Sequence, residues 1–454
     1  MAGNWAREEA FLILNSIMIQ GKYSGIETRN RLNNSNLKSN DRALVTEIVN
    51  GTLRNLIKID WIISKFINRK IEKLSNNVKN ILRSGIYQII YLDRVPDSAV
   101  CNESVELAKK YSNIGAARFI NGVLRNVSRQ KDSINTPDET NISKYLSIEF
   151  SHPLWLVELW IKNYGIEFTK NLLKANNEAP PLTVRVNRLK ISKEELLFLF
   201  NSNNIMWSEG CYNDEAINIK GISSLKDSIL FKKGYFQIQD ESSMLVSKIL
   251  NPKPGDFIID VCSAPGGKAT HMAELMSNKG RIIARDIHLK KLKLIEENIK
   301  RLGISIIETE IFDANTIDDR LIDKADAVLV DAPCSGLGLV RRRSDLRWKK
   351  EKEDIEKLSK LQINILKNAS LYVKKNGVLV YSTCTLNDKE NIQILKDFLN
   401  YNKQFSLDSM ERFLPSNFTA SRGKEGFIEL YPHIHGTDGF FIAKMVKVGC
   451  MEGK

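Results

Sequence analysis

The chain has 454 residues, 43% of them hydrophobic and 27% charged, which suits two or three soluble globular domains whose cores need no disulfides. Its 67 Lys and Arg against 54 Asp and Glu leave a formal charge of +13, which fits a polyanionic partner, although a Lys-, Ile- and Asn-rich host proteome would give the same balance. No apolar run approaches the roughly 20 residues that cross a bilayer, charges interrupt the start where a signal peptide needs its apolar stretch, and six cysteines without a CxxC pair argue against a disulfide framework or a cysteine zinc site.

A cytoplasmic protein with reduced thiols is therefore expected, with no membrane association. Residues 1–135 read as helices almost throughout. Apolar residues recur at helical spacing over 10–14, at Leu44, Ile48 and Leu53, and again over 78–91, 99–111 and 116–127. Pro96 and Asp97 punctuate two of these helices, and the polar, Pro-containing stretch 131–140 reads as a linker. An all-α bundle is expected here.

Residues 145–233 predict a small α+β unit. A helix carrying Trp155, Val157, Leu159 and Trp160 leads into Thr183-Val184-Arg185-Val186-Asn187, which alternates as a strand does, and another helix follows over 194–201. Arg185 and Arg188 flank Asn187 and are weak candidates for RNA contact. From 234 to 448 strand and helix alternate. Apolar strand runs at 257–261, 281–284, 327–330 and 378–381 are separated by helical stretches that include 289–302 and 353–373. Buried strands alternating with helices predict a parallel, Rossmann-like α/β sheet covered on both faces.

The first of these strands runs into Cys262-Ser263-Ala264-Pro265-Gly266-Gly267-Lys268, a turn whose glycines let the backbone approach a ligand at the head of a helix. It is not a Walker A loop, because Cys262 stands at the required first Gly and Ala269 replaces Ser or Thr. Nor is it GxGxxG, and a plain structural turn would need the same glycines. The next strand ends at Asp286, where a ribose hydroxyl is held in this class of fold, although an acid there also serves helix capping. Asp313, after the third strand region, is a second acid, placed to receive an adenine amino group.

The fourth strand runs into Asp331-Ala332-Pro333-Cys334-Ser335-Gly336 and the fifth into Ser382-Thr383-Cys384. In a doubly wound sheet the ligand lies beyond the carboxyl ends of the strands, so two cysteines and an aspartate meet at one crevice. One such cysteine would pass for packing; two at equivalent positions point to chemistry. A thiolate is a strong nucleophile, and a helix expected to begin near Asn387-Asp388 would lower the pKa of Cys384. Arg341, Arg342, Arg343 and Arg347 with Trp348 follow the Cys334 loop and suit RNA backbone contact and base stacking, against the plainer reading of a solvated charged face. His433 and His435 have no cysteine cluster near them, so no metal is expected. Cys101, Cys211 and Cys450 read as ordinary thiols.

The segments 261–268, 331–336 and 382–384 resemble the signature motifs of RNA cytosine-C5 methyltransferases, as do Gln239-Asp240-Glu241-Ser242-Ser243 and Asp438-Gly439-Phe440-Phe441. The helical N-terminus, with 117–125, resembles the RNA-binding NusB fold. The similarity covers nearly the whole chain. It implies S-adenosylmethionine as methyl donor and a cytosine of 16S rRNA, or of a small-subunit precursor, as acceptor; in the best-matching subfamily this is cytosine 967. By the same resemblance Cys262, Ser263, Ala264, Pro265, Gly266, Gly267 and Lys268 would hold the donor with Asp286 and Asp313. Asp331 would lie at the donor's edge facing the base, Cys384 would be the nucleophile, and Cys334 would help release the product. Arg285, Ser344 and Ser263 depart from the family's usual aliphatic residue, Pro and Ala at their positions. The same chemistry on another RNA such as tRNA, or a non-catalytic RNA-binding assembly factor, are the alternatives. Nothing asks for more than a monomer.

Overall fold

The chain, described by a computed structural model over residues 2–221, 228–416, 418 and 423–448, divides into two units: Met1–Glu178 with Val340–Lys350, and Ala179–Leu339 with Glu351–Lys454. The first carries α1 (Ala2–Gln20), α2 (Ser24–Asn33), α3 (Ser39–Arg54), α4 (Leu56–Phe66), α5 (Asn76–Tyr91), α6 (Asp97–Tyr111), α7 (Ile114–Gln130), α8 (Ile142–Glu149), α9 (Leu154–Tyr164) and α10 (Ile166–Asn176). Side-chain caps start several of them. Ser75 accepts the amide of Val78, Asn113 that of Ala116 and Asn141 that of Lys144. Helix α7 then buries Ala117, Ile120, Val123, Leu124 and Val127, a stripe at helical spacing that packs with Ile59, Ile81 and Ile86.

Residues 145–178 lie in the first unit. Lys58 pairs with Glu149 at 2.7 Å, and the amide of Ile57 donates to Ser151 Oγ at 2.8 Å.

The second unit begins with a four-stranded antiparallel sheet of order β2-β3-β1-β4. Its strands are β1 (Leu182–Val186), β2 (Met206–Glu209), β3 (Ala216–Lys220) and β4 (Phe236–Ile238), with helices α11 (Lys193–Ser202) and α12 (Ile229–Lys232). Ser192 and Glu195 form a capping box that starts α11, and Val184, Val186, Phe200, Ile217 and Phe236 share one core.

The chain continues through α13 (Glu241–Leu250), β5 (Phe257–Asp260), α14 (Gly267–Leu275), β6 (Arg281–Asp286), α15 (Leu289–Leu302), β7 (Ile307–Ile311) and β8 (Ala325–Asp331). After α16 (Leu346–Lys349), which belongs to the first unit, come α17 (Lys352–Tyr372), β9 (Val373–Thr383), α18 (Ile392–Tyr401), β10 (Phe405–Leu407), β11 (Phe427–Leu430), α19 (Pro432–His435) and β12 (Phe440–Lys447). These strands build an eight-stranded sheet of order β10-β12-β9-β8-β5-β6-β7, with β11 on β12.

The sheet is mixed, and this corrects the expectation of a parallel one. Strands β5 to β9 are parallel, whereas β10, β11 and β12 join antiparallel. The connection from Leu430 to Phe440 is too short for the crossover of a dozen or more residues that parallel neighbours need. From β5 the chain winds outward through β6 and β7, then returns to β8 on the other side of β5. That reversal opens a crevice at the carboxyl ends of β5 and β8.

Candidate active site

Strand β5 ends beneath the turn 261–266. Three backbone bonds shape it: Val261 N to Leu329 O at 3.1 Å, Ser263 N to Arg285 O at 2.7 Å and Gly266 N to Ser263 O at 2.8 Å. Gly266 has φ +90°, and a Cβ there would lie 3.0 Å from Ile295 Cγ2, so only glycine fits. A Cβ on Gly267 would meet nothing nearer than 3.9 Å, which leaves the head of α14 open to a ligand. The thiol of Cys262 is pushed far up, by burial first and then by the carboxylates of Asp260, Asp331 and Asp286. It stays protonated beside the turn.

Lys268 reaches across to β8, where its Nζ lies 2.6 Å from Asp331 Oδ2 and 5.0 Å from the centre of the Phe440 ring. Ser382 Oγ donates to the other Asp331 oxygen at 2.9 Å. The head of α14 and the ends of β8 and β9 are thus joined through one carboxylate. Beneath them Asp260 is fully buried, and its pKa is pushed up to about 7 by burial and then by the charge of Asp331. One strand further out, Asp286 ends β6 nearly buried, accepting the amide of His288 at 2.9 Å. Asp313 follows β7 on the surface and accepts the amide of Asn315 at 2.9 Å.

Cys334 and Cys384 leave adjacent strands, and their sulfurs lie 3.2 Å apart. The amide of Ala332 donates to Ser382 O at 2.9 Å and that of Gly338 to Cys384 O at 3.0 Å, so the two loops are sewn together on either side of the thiols. The Cys334 thiol is held well above its ordinary pKa. The hydrogen bond with Cys384 is the first cause, followed by burial and by the charges of Cys384, Glu390 and Asp331. Helix α18 starts at Ile392, later than the expected Asn387-Asp388, and its cap residue Asn391 accepts the Thr383 hydroxyl at 2.6 Å and donates to the Thr385 carbonyl at 3.0 Å, on either side of Cys384.

Two further readings of the sequence are corrected. Arg185 is fully buried rather than presented to RNA. Its guanidinium pairs with Glu274 at 2.7 Å and donates to the Gly267 carbonyl at 3.1 Å, to Thr270 Oγ1 at 3.3 Å and to Gln239. It braces the head of α14 from the small sheet, a role with no local signal in the sequence. Glu241 of the same segment accepts the amides of Cys211, Tyr212 and Asn213. Arg347 is also fully buried, donating to the carbonyls of Arg54, Ser151 and Asn176 and to Asn177 Oδ1. It ties the end of α3, the turn after α8 and the end of α10 together and is removed from the set of RNA contacts.

Trp348 turns its indole to the Leu53 carbonyl at 2.8 Å, and Arg341 is buried. Arg342 and Arg343 remain exposed, the latter over the Tyr23 ring at 5.1 Å, and Arg188 is exposed as well. Arg285, the unusual residue before Asp286, is neutralised by Glu310 and Asp318, both at 2.6 Å, and lies on the Phe312 ring. Ser344 and Ser263 are buried. His435 Nδ1 accepts the amide of Tyr431, and among the described residues no cluster of His, Cys, Asp or Glu suits a metal ion. Cys101 is buried and Cys211 exposed, while Cys450 lies outside the described residues. No helix among the described residues is long and apolar enough to cross a membrane.

Two crystal structures share this architecture. One, named PH0851, superposes with a TM-score of 0.83 at 27% identity, covering 98% of both chains. The other, NSun6 from Pyrococcus horikoshii with the S-adenosylmethionine analogue SFG, gives 0.59 at 28% identity over 64% of this chain and 97% of its own. Fold and crevice therefore define an S-adenosylmethionine-dependent RNA methyltransferase domain carried with a NusB-like helical bundle. Family models agree: NusB family over 4–129, the RsmF/B-like ferredoxin-like domain over 152–225, and 16S rRNA methyltransferase RsmB/F over 247–446. The probable ribosomal RNA small subunit methyltransferase B of Bacillus subtilis (strain 168) is 39% identical over 434 residues, 94% of this chain and 95% of its own. The chain belongs to the RsmB/F family of rRNA methyltransferases.

Proposed function

We propose that the protein transfers a methyl group to C5 of a cytosine in 16S rRNA through a covalent adduct between Cys384 and C6 of the base. The observation that carries this reading is the pair of thiols 3.2 Å apart, at strand ends one of which also carries Asp331 of the Asp331–Lys268 ion pair.

The residues present fit S-adenosylmethionine. The open backbone at Gly266 and Gly267 offers a cradle, and Asp286 and Asp313 offer acceptors at the next two strand ends for ribose hydroxyls and an adenine amino group. When bound, the donor supplies an electrophilic methyl group at the crevice.

Cytosine C5 is a poor nucleophile. Addition of the Cys384 thiolate forms an S–C6 bond and pushes the ring electrons towards C5 and N3, making C5 enamine-like. N3 takes up a proton from water as its electron density rises, and Asp331 accepts from that N3–H and from the N4 amino group. Lys268 and Ser382 hold that carboxylate in place. Once the Cys384 sulfur is bonded to carbon, the first cause that keeps the proton on Cys334 is gone. Cys334 then takes part in removing the C5 proton, after which the S–C6 bond breaks and the thiolate leaves. The base must be unstacked or single-stranded to reach this crevice. Exposed Arg342 and Arg343 are the remaining basic-loop contacts for its backbone.

The test is transfer of labelled methyl from S-adenosylmethionine to deproteinised small-subunit rRNA, with tRNA and DNA in parallel. Labelled 5-methylcytosine on rRNA alone, abolished by Cys384→Ala, is the expected result. Label on tRNA would keep the chemistry and change the substrate, and RNA binding without transfer would overturn the reading.

A further inference from the structure

The proposed chemistry leaves the buried carboxylate of Glu390 without a task. Glu390 is fully buried between the two cysteine loops. Its carboxylate accepts from the Ser335 amide at 2.9 Å, the Ser335 hydroxyl, Gln362 Nε2 at 2.9 Å and Asn387 Nδ2. Its own amide donates to Asn387 Oδ1 at 3.0 Å, and its carbonyl accepts the Tyr381 hydroxyl at 2.7 Å.

These donors come from three elements. Ser335 follows Cys334 directly, and its hydroxyl also lies 2.6 Å from Thr385 Oγ1, next to Cys384. Asn387 stands three residues beyond Cys384. Gln362 of α17 shares its amide with the carbonyl of Pro333, immediately before Cys334. Burying a carboxylate is costly unless its lone pairs are all engaged, so the charge is tolerated only while these loops keep their places. A glutamine could not replace it, because its amide nitrogen can only donate and would face donors.

We infer that Glu390 is the positioning residue of the thiol pair: its carboxylate ties the Cys334 loop to the Cys384 loop and sets the sulfur separation. The catalytic consequence rests on the proposed function; the geometric claim does not. Through the bonds of Glu390 to Ser335 and Asn387, each loop is held against a common anchor rather than against the other thiol alone.

The experiment measures bridging of the two thiols by dibromobimane, which fluoresces once both arms have alkylated, with Cys334→Ala as background. In Glu390→Gln we expect bridging to slow at least ten-fold and kcat to fall, with affinity for S-adenosylmethionine within three-fold of wild type. Ser335→Ala and Asn387→Ala should each slow bridging and add little to Glu390→Gln. Should Glu390→Gln fail to fold, those two single variants decide the matter. Wild-type bridging in folded Glu390→Gln, or in both single variants, overturns the inference. Wild-type protein that bridges rapidly but transfers no methyl group would sink the proposed function and leave the clamp standing.

Discussion

The sulfurs of Cys334 and Cys384 lie 3.2 Å apart although 50 residues separate them in the chain. They end parallel neighbours β8 and β9, which are in register from Ala327 with Val378 to Asp331 with Ser382, so the two loops leave the sheet side by side. If Cys384 attacks and Cys334 assists release, the two alanine variants should fail at different stages. Cys334→Ala should accumulate a protein–RNA adduct that survives denaturing gels, with turnover down roughly 10²–10⁴-fold. Cys384→Ala should form no adduct. The reverse pattern would exchange their roles.

The Lys268–Asp331 pair joins the proposed donor cradle to the carboxylate proposed to face the base, at 2.6 Å. Asp331→Asn keeps the shape and replaces the carboxylate proposed to accept from N3–H and the N4 amino group with an amide that can accept at only one of its two ends. Single-turnover transfer should fall by about 10²–10³-fold, the range for loss of one preorganised electrostatic group. Lys268→Met should instead raise the KM for S-adenosylmethionine as well, and a purely structural Lys268 would leave that KM unchanged.

Arginines of the basic loop divide by burial. Arg347→Ala strips the carbonyls of Arg54, Ser151 and Asn176 of their donor, and chemical denaturation should show a loss of about 3 kcal/mol or more. Arg342→Ala and Arg343→Ala should leave stability within about 0.5 kcal/mol. Each should lower the salt slope of RNA binding by about one. Titrating RNA affinity against salt concentration separates the two classes.

Gly338 passes so close to Gly439 that a Cβ would lie 2.0 Å from the Gly439 carbonyl oxygen and 2.9 Å from that of Cys384. The obstacle is backbone and cannot rotate away. Gly338→Ala should cost at least about 2 kcal/mol, at the upper end of overpacking effects, and abolish methyl transfer by moving the Cys384 loop. Normal turnover in this variant would show that the loop tolerates displacement.

Acid should unfold the second unit through His271. Burial first, and then the charge of Arg185, push His271 down to about 4 despite its bond to Glu215. The unfolded chain binds a proton near pH 6.5 that the folded His271 refuses, so stability falls as pH drops from 6.5 towards 4. One such proton corresponds to about 1.4 kcal/mol per pH unit. His433, also held near 4, acts in the same direction. His271→Gln should flatten the urea midpoint against pH across that window by about one proton's worth.

Much of this architecture was legible locally. Apolar periodicity marks α15 at its observed ends, and the turns after β5, β6, β8 and β9 place 262–268, Asp286, Asp331, Cys334 and Cys384 at strand ends. Strand ends are where a doubly wound sheet binds, so position in the chain already implied a shared crevice. Periodicity, however, reports only which face of an element is apolar. It says nothing of the partner a charged side chain will meet. Arg347 and Arg343 look alike in the sequence, yet the end of α3, the turn after α8 and the end of α10 enclose one and leave the other in solvent. The same holds for Arg185 beneath the 262–268 turn, for the antiparallel β12, and for Glu390 between the cysteine loops. Their contacts join residues tens of positions apart, and only closure of the tertiary fold decides which distant donors meet each buried charge.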